Sequence, residues 1–206
     1  FRRVYDHWRA LPADSRPRLY LHGLSLGALN SDLSVDLFDV IGAPFHGALW
    51  SGPPFPSRTW RQATAQRQPD SPAWLPRFRD GSVIRFTGRR DALDEAAAPW
   101  GPMRIVFLQY ASDPITFFET RSAFRAPDWL REPRGPDVSR ALRWYPLITF
   151  LQLGLDMALA TTTPMGHGHV YAPEHYVDAW LAVTAPDNWP PDRVEALKRH
   201  LAGTVP

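Results

Sequence analysis

The chain has 206 residues, 44% of them hydrophobic, so it can bury a sizeable core, and we expect residues 1–206 to form a single domain. The absence of cysteine excludes disulfides, thiolate catalysis and cysteine–zinc sites. The formal net charge is only +2 and the arginines are interleaved with acidic residues, which argues against a nucleic-acid partner.

The N-terminal part of the chain alternates helical and extended patterns. Apolar residues at helical spacing in "FRRVYDHWRAL" (1–11) predict a helix. The run "RLYLHG" (18–23) predicts a buried strand, and "SLGALNSDLSVDLF" (25–38) predicts a helix that begins at the serine. The next apolar run, "FDVIGAPFHG" (38–47), breaks at a glycine and a proline and predicts a second strand.

The following segment is rich in proline, tryptophan and arginine. Its patterns predict one short helix near "RTWRQATAQR" (58–67) and a strand at "SVIRFTG" (82–88). We expect residues 47–100 to form an excursion from the sheet. It would serve either as a lid or wall of an apolar acyl pocket, or as a plain cover over the sheet.

The second half of the chain opens with the clearest strand, "MRIVFLQYA" (103–111). We expect this strand at the centre of the sheet, with Ile105, Phe107 and Leu108 buried. A mostly helical stretch interrupted near a proline (137–162) and two further helices (173–183 and 191–202) are predicted after it. Strands that alternate with helices predict an α/β fold with a mainly parallel sheet flanked by helices.

The stretch "LHGLSLG" (21–27) holds the first candidate for chemistry. Ser25 stands between Gly23 and Gly27, with a predicted strand before it and a predicted helix after it. This context is typical of a nucleophilic serine on a tight turn, where bulky neighbours do not fit between strand and helix. We therefore predict a strained backbone at Ser25, between a strand at 18–22 and a helix beginning near Leu26. The alternative is a small residue in an ordinary turn.

A serine nucleophile needs a base and an acid, which follow it along the chain in an α/β-hydrolase order. Asp113 comes directly after the strand at 103–111, where such an acid is expected, although Asp-Pro also starts ordinary turns. The glycine-rich loop "PMGHGHVY" (164–171) offers His167 and His169 as the base. We favour His169 and keep His167 as second choice. A metal site on this pair is the weaker interpretation, and we predict no metal and no cofactor.

Six ordered blocks carry a resemblance to a known family: "LHGLSLGALNS", "GALWSGPPF", "LQYASDPITFF", "PDWLREPRGPDVS", "RWYPLITFLQLGLDMALA" and "PMGHGHVY". Together they resemble the bacterial α/β-hydrolase family whose members carry an N-terminal membrane region. The resemblance covers most of the chain between residues 18 and 189. It implies a triad of Ser25, Asp113 and His169, and transmembrane helices ahead of this domain in the full-length protein.

One departure from an α/β-hydrolase concerns the strands that normally precede the nucleophile. They are not found upstream of Ser25 in this sequence, so we expect the chain to be the C-terminal part of a larger catalytic domain. The backbone N–H of Leu26 can supply one oxyanion donor. The second donor is not located in this sequence, and we expect the N-terminal part of the same protein to be a partner that completes the domain.

Two functions follow from these patterns. The favoured one is a serine hydrolase that cleaves a carboxylic ester, with a lipid or an acyl-glycan as the expected substrate, or transfers its acyl group to another alcohol. The alternative is a catalytically silent binding or scaffolding domain of a membrane protein. Both interpretations place the full-length protein at a membrane.

Overall fold

The computed structural model of the protein describes residues 1–204. In this range the strands are β1 (Tyr20–Leu24), β2 (Gly47–Ser51), β3 (Ile84–Thr87) and β4 (Arg104–Leu108). The helices are α1 (Arg2–Ala10), α2 (Leu26–Ser34), α3 (Leu37–Gly42), α4 (Arg58–Ala65), α5 (Pro114–Phe117), α6 (Ile148–Ala158), α7 (Pro173–Thr184) and α8 (Pro191–Thr204). Two 3-10 helices lie at Thr120–Ala123 and Asp128–Leu130.

The four strands form one parallel sheet in the order β1-β2-β4-β3. Because all strands run the same way, the loops that leave their carboxyl ends meet at one edge of the sheet. The register pairs Leu24 with Ser51 and Ser51 with Leu108, so β1, β2 and β4 end side by side. The α/β fold with a parallel sheet, predicted from the alternation of elements, is confirmed.

The sheet is covered on both faces. On one face Trp50, Phe86 and Phe107 pack together, and Phe86 stacks on Phe107 with ring centroids 5.1 Å apart. On the other face Leu49 and Val106 pack against α7. Parallel strands buried on both faces read as continuous apolar runs, which is why β4 is so clear in the sequence.

The central position of β4 is confirmed. This strand lies between β2 and β3, and Ile105, Phe107 and Leu108 are buried, the last two completely. The helices predicted near the N-terminus, at 58–67, and in the two C-terminal segments are also present, as α1, α4, α7 and α8.

The strand predicted at 38–47 is wrong. That run forms α3, and the second strand, β2, begins only at Gly47. The apolar residues Phe38 and Ile41 that suggested a strand are 81% and 70% exposed on α3. Gly47 is the first residue of β2. A glycine is required there because a Cβ at this position would overlap the carbonyl oxygen of Arg104 on the neighbouring strand. The helix predicted over 25–38 accordingly ends at Ser34 and is followed by a separate α3.

Two further predictions need correction. The segment 47–100 is not a plain excursion, because it supplies both β2 and β3 to the sheet. The helix predicted over 137–162 is limited to α6, and the residues before it form turns. Pro146 cannot continue a helix, and Leu147 takes a positive φ of 59°. Among residues 1–204, no helix is both long and apolar enough to cross a membrane.

Candidate active site

The turn between β1 and α2 carries Ser25 in a rare backbone conformation. Its φ of 55° and ψ of −123° lie outside the regions that side-chain-bearing residues usually adopt. Its N–H donates to the carbonyl of Ser51 at 3.0 Å, which fixes the turn to the end of β2. The strained turn predicted at this position is present.

The presence of glycine on the two sides of Ser25 has a different explanation at each position. A Cβ at Gly23 would overlap the backbone of Gly27 and Ala28, so the close approach of β1 and α2 requires glycine there. A Cβ at Gly27 would meet no atom within 4 Å. The crowding argument made for both positions therefore holds only for Gly23.

The hydroxyl of Ser25 is not used to cap α2, although serine at this position commonly does so. The first intrahelical bond runs from the Leu29 N–H to the Ser25 carbonyl at 3.1 Å. The N–H groups of the first turn, beginning with Leu26, therefore have no acceptor within the helix. Such N–H groups at a helix N-terminus favour a negative charge placed beside them.

Asp113 lies just beyond β4, as predicted, and its carboxylate is completely buried. It is the N-cap of α5 and accepts from the N–H groups of Ile115 and Thr116 at 2.9 and 3.4 Å. It also accepts from the Thr116 hydroxyl at 3.1 Å, the Tyr171 hydroxyl at 2.6 Å and His169 Nδ1 at 2.7 Å. Five donors directed at one carboxyl group are the surroundings of an ionised carboxylate.

His169 is brought to Asp113 by the glycine-rich loop. Because the ionised carboxylate of Asp113 only accepts, Nδ1 of His169 carries the proton and donates it to Asp113. Nε2, the other ring nitrogen, is left as the atom that can accept a proton. This Nε2 atom is buried, and it has no hydrogen-bond partner among residues 1–204.

Ser25 and His169 approach the same point of the sheet from two sides. Ser25 is bonded to Ser51, and the next residue, Gly52, lies against the imidazole: a Cβ on Gly52 would be 2.6 Å from His169 Cε1. Gly52 has a φ of 49° and its N–H donates to the carbonyl of Leu108 at 2.9 Å, so it joins the ends of β2 and β4. The hydrogen bond expected between His169 Nε2 and the Ser25 hydroxyl is not formed in this structure.

His167 faces another part of the molecule. Its Nε2 contacts the guanidinium of Arg89, and its Nδ1 lies 3.4 Å from the carbonyl of Met165. The hydroxyl of Thr163 donates to the His167 carbonyl at 2.7 Å, and this hydrogen bond stabilises the loop from within. The structure thus brings His169, and not His167, to Asp113.

Sequence reasoning missed Tyr171, two residues after His169. Its hydroxyl donates to Asp113, and its ring lies edge-on to the imidazole at 5.8 Å. Burial and the neighbouring Asp113 charge raise the pKa of Tyr171 well above its ordinary value, so the phenol stays protonated and remains a donor. Nothing in the sequence around position 171 signals this role, because the contact joins residues 58 positions apart.

Ser112 and Asp137 form a second link that the sequence did not indicate. The Ser112 hydroxyl donates to Asp137 Oδ2 at 2.5 Å and accepts from the N–H of Gly168 at 2.9 Å. The Ser112 N–H also donates to Asp137 at 3.0 Å. This link, which we call the loop clamp (Ser112, Asp137 and Gly168), connects the segment that carries Asp113 to the loop that carries His169.

Behind Tyr171 lies a layer formed by Tyr110 and His175. Tyr110 stacks on Tyr171 with ring centroids 4.3 Å apart, and its hydroxyl lies 2.6 Å from His175 Nδ1. The Ala172 N–H donates to the same hydroxyl at 2.8 Å. Burial raises the pKa of Tyr110 and lowers the pKa of His175, so Tyr110 donates and a neutral His175 accepts.

An apolar groove of about 530 Å³ runs between α7 and α8. It starts at Tyr171, beside the carboxylate of Asp113, and continues along Trp180 to Trp189. No group of three or more histidine, aspartate and glutamate side chains within residues 1–204 is arranged to hold a metal ion.

Three features define the class of this protein: the parallel sheet, the strained serine turn and the buried Asp–His pair. In this class, loops at the carboxyl edge of an α/β sheet carry the chemistry. A model of an alpha/beta-hydrolase family matches residues 1–197, so the chain belongs to the α/β-hydrolase family, whose members are generally hydrolytic. Neither the curated proteins nor the solved structures contain a match to this chain.

Proposed function

We propose that this protein is a serine hydrolase that cleaves a carboxylic ester through an acyl-enzyme. Ser25 is the nucleophile, His169 the general base and acid, and Asp113 the residue that orients the imidazole. His167 is not part of this chemistry.

One observation carries the proposal. His169 holds its Nδ1 proton on a buried carboxylate, at 2.7 Å, while its buried Nε2 has no partner among residues 1–204. A buried polar atom without a partner calls for an explanation, and the role of a general base that receives a proton supplies one for Nε2. The hydroxyl of Ser25, which caps nothing, lies at the neighbouring strand end.

The reaction proceeds in two halves. Ser25 Oγ attacks the carbonyl carbon while its proton passes to His169 Nε2, and the imidazolium formed is stabilised by Asp113. The tetrahedral adduct collapses and expels the alcohol, which takes the proton from Nε2. Water then repeats the sequence on the acyl-enzyme, or another alcohol accepts the acyl group.

The negative oxygen of the tetrahedral adduct needs donors. The N–H of Leu26 is the first candidate, because it follows the nucleophile at the helix N-terminus and has no acceptor within α2. Donors of this kind contribute about 100- to 1000-fold each to turnover. We propose that the second donor comes from the N-terminal part of the same protein.

The apolar groove between α7 and α8 supports a substrate with a hydrocarbon chain. Tyr171 lines the groove and its hydroxyl donates to Asp113, so the groove reaches a residue that holds the proposed acid. We therefore propose a lipid ester as the substrate, ahead of an acyl-glycan. In keeping with the resemblance, we propose that the full-length protein works at a membrane.

A fluorophosphonate probe tests the nucleophile directly, because the probe reacts only with an activated hydroxyl. We expect labelling of the full-length protein, loss of labelling in Ser25→Ala, and no loss in Ser15→Ala, which changes an exposed serine far from the site. Labelling that survives Ser25→Ala contradicts the assignment of the nucleophile.

The alternative is a catalytically silent binding or scaffolding domain. It is favoured by one observation, the missing hydrogen bond between His169 Nε2 and Ser25. Serine hydrolases without substrate often show long or poorly aligned contacts at this point, so we rank the alternative second. The absence of any probe labelling at any pH would reverse this ranking.

A further inference from the structure

A stripe of exposed apolar side chains lies along α6. Ile148, Leu151, Leu155 and Leu159 follow one another at intervals of three and four residues and are 63%, 68%, 61% and 49% exposed. Such intervals form a single stripe along a helix. Leu153, on the other side of the helix, is buried in the core. The helix therefore presents aliphatic side chains where a surface helix normally presents polar ones.

The stripe continues beyond both ends of α6. Before the helix, Tyr145 and Leu147 are exposed, and the Leu147 N–H donates to the carbonyl of Ala123 at 2.9 Å, next to the 80% exposed Phe124. After the helix, Met165 is 44% exposed in the loop that leads to His169. We call the stripe and these four residues the α6 face. An apolar surface of this extent marks an interaction site.

A strained residue lies within the α6 face. Leu147 has a φ of 59° and a ψ of −44°, which a leucine rarely adopts, and its side chain is 54% exposed. A strained conformation persists only where the surroundings maintain it, and such conformations are concentrated at functional positions. Here it occurs on an exposed side chain that makes no contribution to the core.

Positive charge borders the α6 face at its Phe124 end. Arg121, Arg125 and Arg143 are exposed, and none of the three forms an ion pair with a carboxylate in the part of the chain that the structure describes. Burial raises the pKa of Glu119, although the charges of Arg121 and Arg125 act on it in the opposite direction, and burial also raises the pKa of Asp156 on α6. An apolar stripe with basic flanks is the pattern of surfaces that lie in an anionic lipid interface.

The α6 face is connected to the candidate active site through the main chain. The carbonyl of Ala160, at the end of α6, accepts from the His169 N–H at 3.2 Å. Met165 lies between these two residues in the same loop. A lipid surface in contact with the α6 face would therefore lie beside the loop that carries the base.

We propose that the α6 face is the surface by which this protein rests on an anionic lipid bilayer, so that its ester substrate enters from the lipid. The proposal rests on the proposed ester hydrolysis for the identity of the substrate, but binding itself does not depend on it. A second copy of the chain fits the face less well, because it carries a net charge of +2 itself, whereas lipid phosphates are negative.

Vesicle flotation tests the proposal. We expect the chain to float with vesicles of phosphatidylcholine mixed with phosphatidylglycerol, and to bind phosphatidylcholine alone more weakly. The double change Leu151→Glu and Leu155→Glu should lower binding at least about tenfold, since each leucine replaced is exposed and its loss removes apolar contact with the lipid. Arg125→Glu with Arg143→Glu should remove the preference for the anionic lipid, by about fivefold for each arginine.

The matched control is Val4→Glu with Leu33→Glu, which changes two exposed apolar residues on α1 and α2 and should leave flotation unchanged. Fluorophosphonate labelling of Ser25 is read on the same samples, so failure of the hydrolase proposal is seen separately. The proposal is overturned if the chain does not bind anionic vesicles, or if the leucine variant binds like the unchanged chain. It is also overturned if sedimentation velocity shows a dimer that the leucine variant dissociates.

Discussion

The N–H of Gly168 donates to the hydroxyl of Ser112 at 2.9 Å, across a separation of 56 residues. Through this bond the residue before the proposed base is held to the residue before the proposed acid. The loop clamp thus adds a further link between two segments of the chain that are also joined by the hydrogen bonds of Asp113 to His169 and Tyr171.

Breaking the loop clamp should lower turnover more than substrate binding. In Ser112→Ala, the Gly168 N–H loses its acceptor and the Asp137 carboxylate keeps only the backbone N–H of residue 112, so the loop that carries His169 is held less firmly. Because a misplacement of about 1 Å costs up to about a hundredfold, we expect kcat to fall ten- to about a hundredfold with KM little changed. Asp137→Asn should be milder, since its amide oxygen still accepts. Steady-state kinetics on a soluble ester would measure both, and an equal loss in the two variants would contradict this order.

The two histidines of the loop should differ sharply in activity. Replacing His169 by alanine removes the imidazole held by Asp113, and we expect ester hydrolysis by the full-length protein to fall by about a hundredfold or more. Replacing His167, which contacts Arg89, should leave a substantial part of the activity. Initial rates of ester hydrolysis by the two variants would show which histidine is the base. The reverse result would keep a triad but make His167 its base.

Gly52→Ala should inactivate the protein with little loss of folding. The added Cβ would lie 2.6 Å from His169 Cε1, and the φ of 49° disfavours alanine, so the imidazole must be displaced from its present position. Gly154→Ala in α6, where a Cβ meets nothing within 4 Å, is the matched control. Circular dichroism should show both variants folded, and only Gly52→Ala should lose fluorophosphonate labelling. Retention of labelling would show that His169 does not depend on this contact.

Leu108 supports the end of β4 and should contribute strongly to stability. It is completely buried in the sheet, so Leu108→Ala should lower the free energy of unfolding by about 2–5 kcal/mol. Leu151→Ala, on the exposed α6 face, should change it by no more than about 0.5 kcal/mol. Urea unfolding followed by fluorescence compares the two. A cost well under 1 kcal/mol at Leu108 would contradict the central position of β4.

His175 should make the protein less stable in mild acid. Burial lowers its pKa in the folded state, so the unfolded chain binds the proton more readily. The stability that the neutral imidazole contributes is fully present above its ordinary pKa. It is lost as the pH falls from that ordinary pKa to the lowered pKa of the folded state. Thermal unfolding between pH 8 and about pH 5 should therefore show a smaller loss of Tm in His175→Gln than in the unchanged chain. Equal losses of Tm in the two proteins would mean that other titratable groups determine the acid sensitivity.

The sequence predicts the fold and the three site residues where the signal is local. The turn at Ser25 follows from a strand, two glycines and a helix within a few positions, and β4 follows from a continuous apolar run. The second strand was misplaced because "FDVIGAPF" is as apolar as a strand, and only packing distinguishes its exposed side chains from the buried ones of β2. Hydrophobicity alone does not reveal which apolar run enters the sheet.

Residues that act through long-range contacts could not be predicted. Tyr171 reaches Asp113 and Asp137 reaches Ser112 only because the fold brings distant segments together. Each is an ordinary loop residue in the sequence, without a motif around it. The choice between His167 and His169 likewise depended on which side of the loop faces the sheet, which the structure supplies and the sequence does not.

The strand order has a consequence for the local unfolding of the protein. Among residues 1–204, β1 pairs only with β2 and has mostly accessible side chains, whereas β4 is enclosed between two strands. Amide protons of an edge strand exchange with solvent through small local openings, while those of an interior strand exchange only when most of the structure opens. Within residues 1–204, Ser25 therefore follows an edge strand and Asp113 follows an enclosed one. In this chain, amide protons of β1 should therefore exchange under gentle denaturation while the Asp113–His169 pair and most of the sheet are still intact.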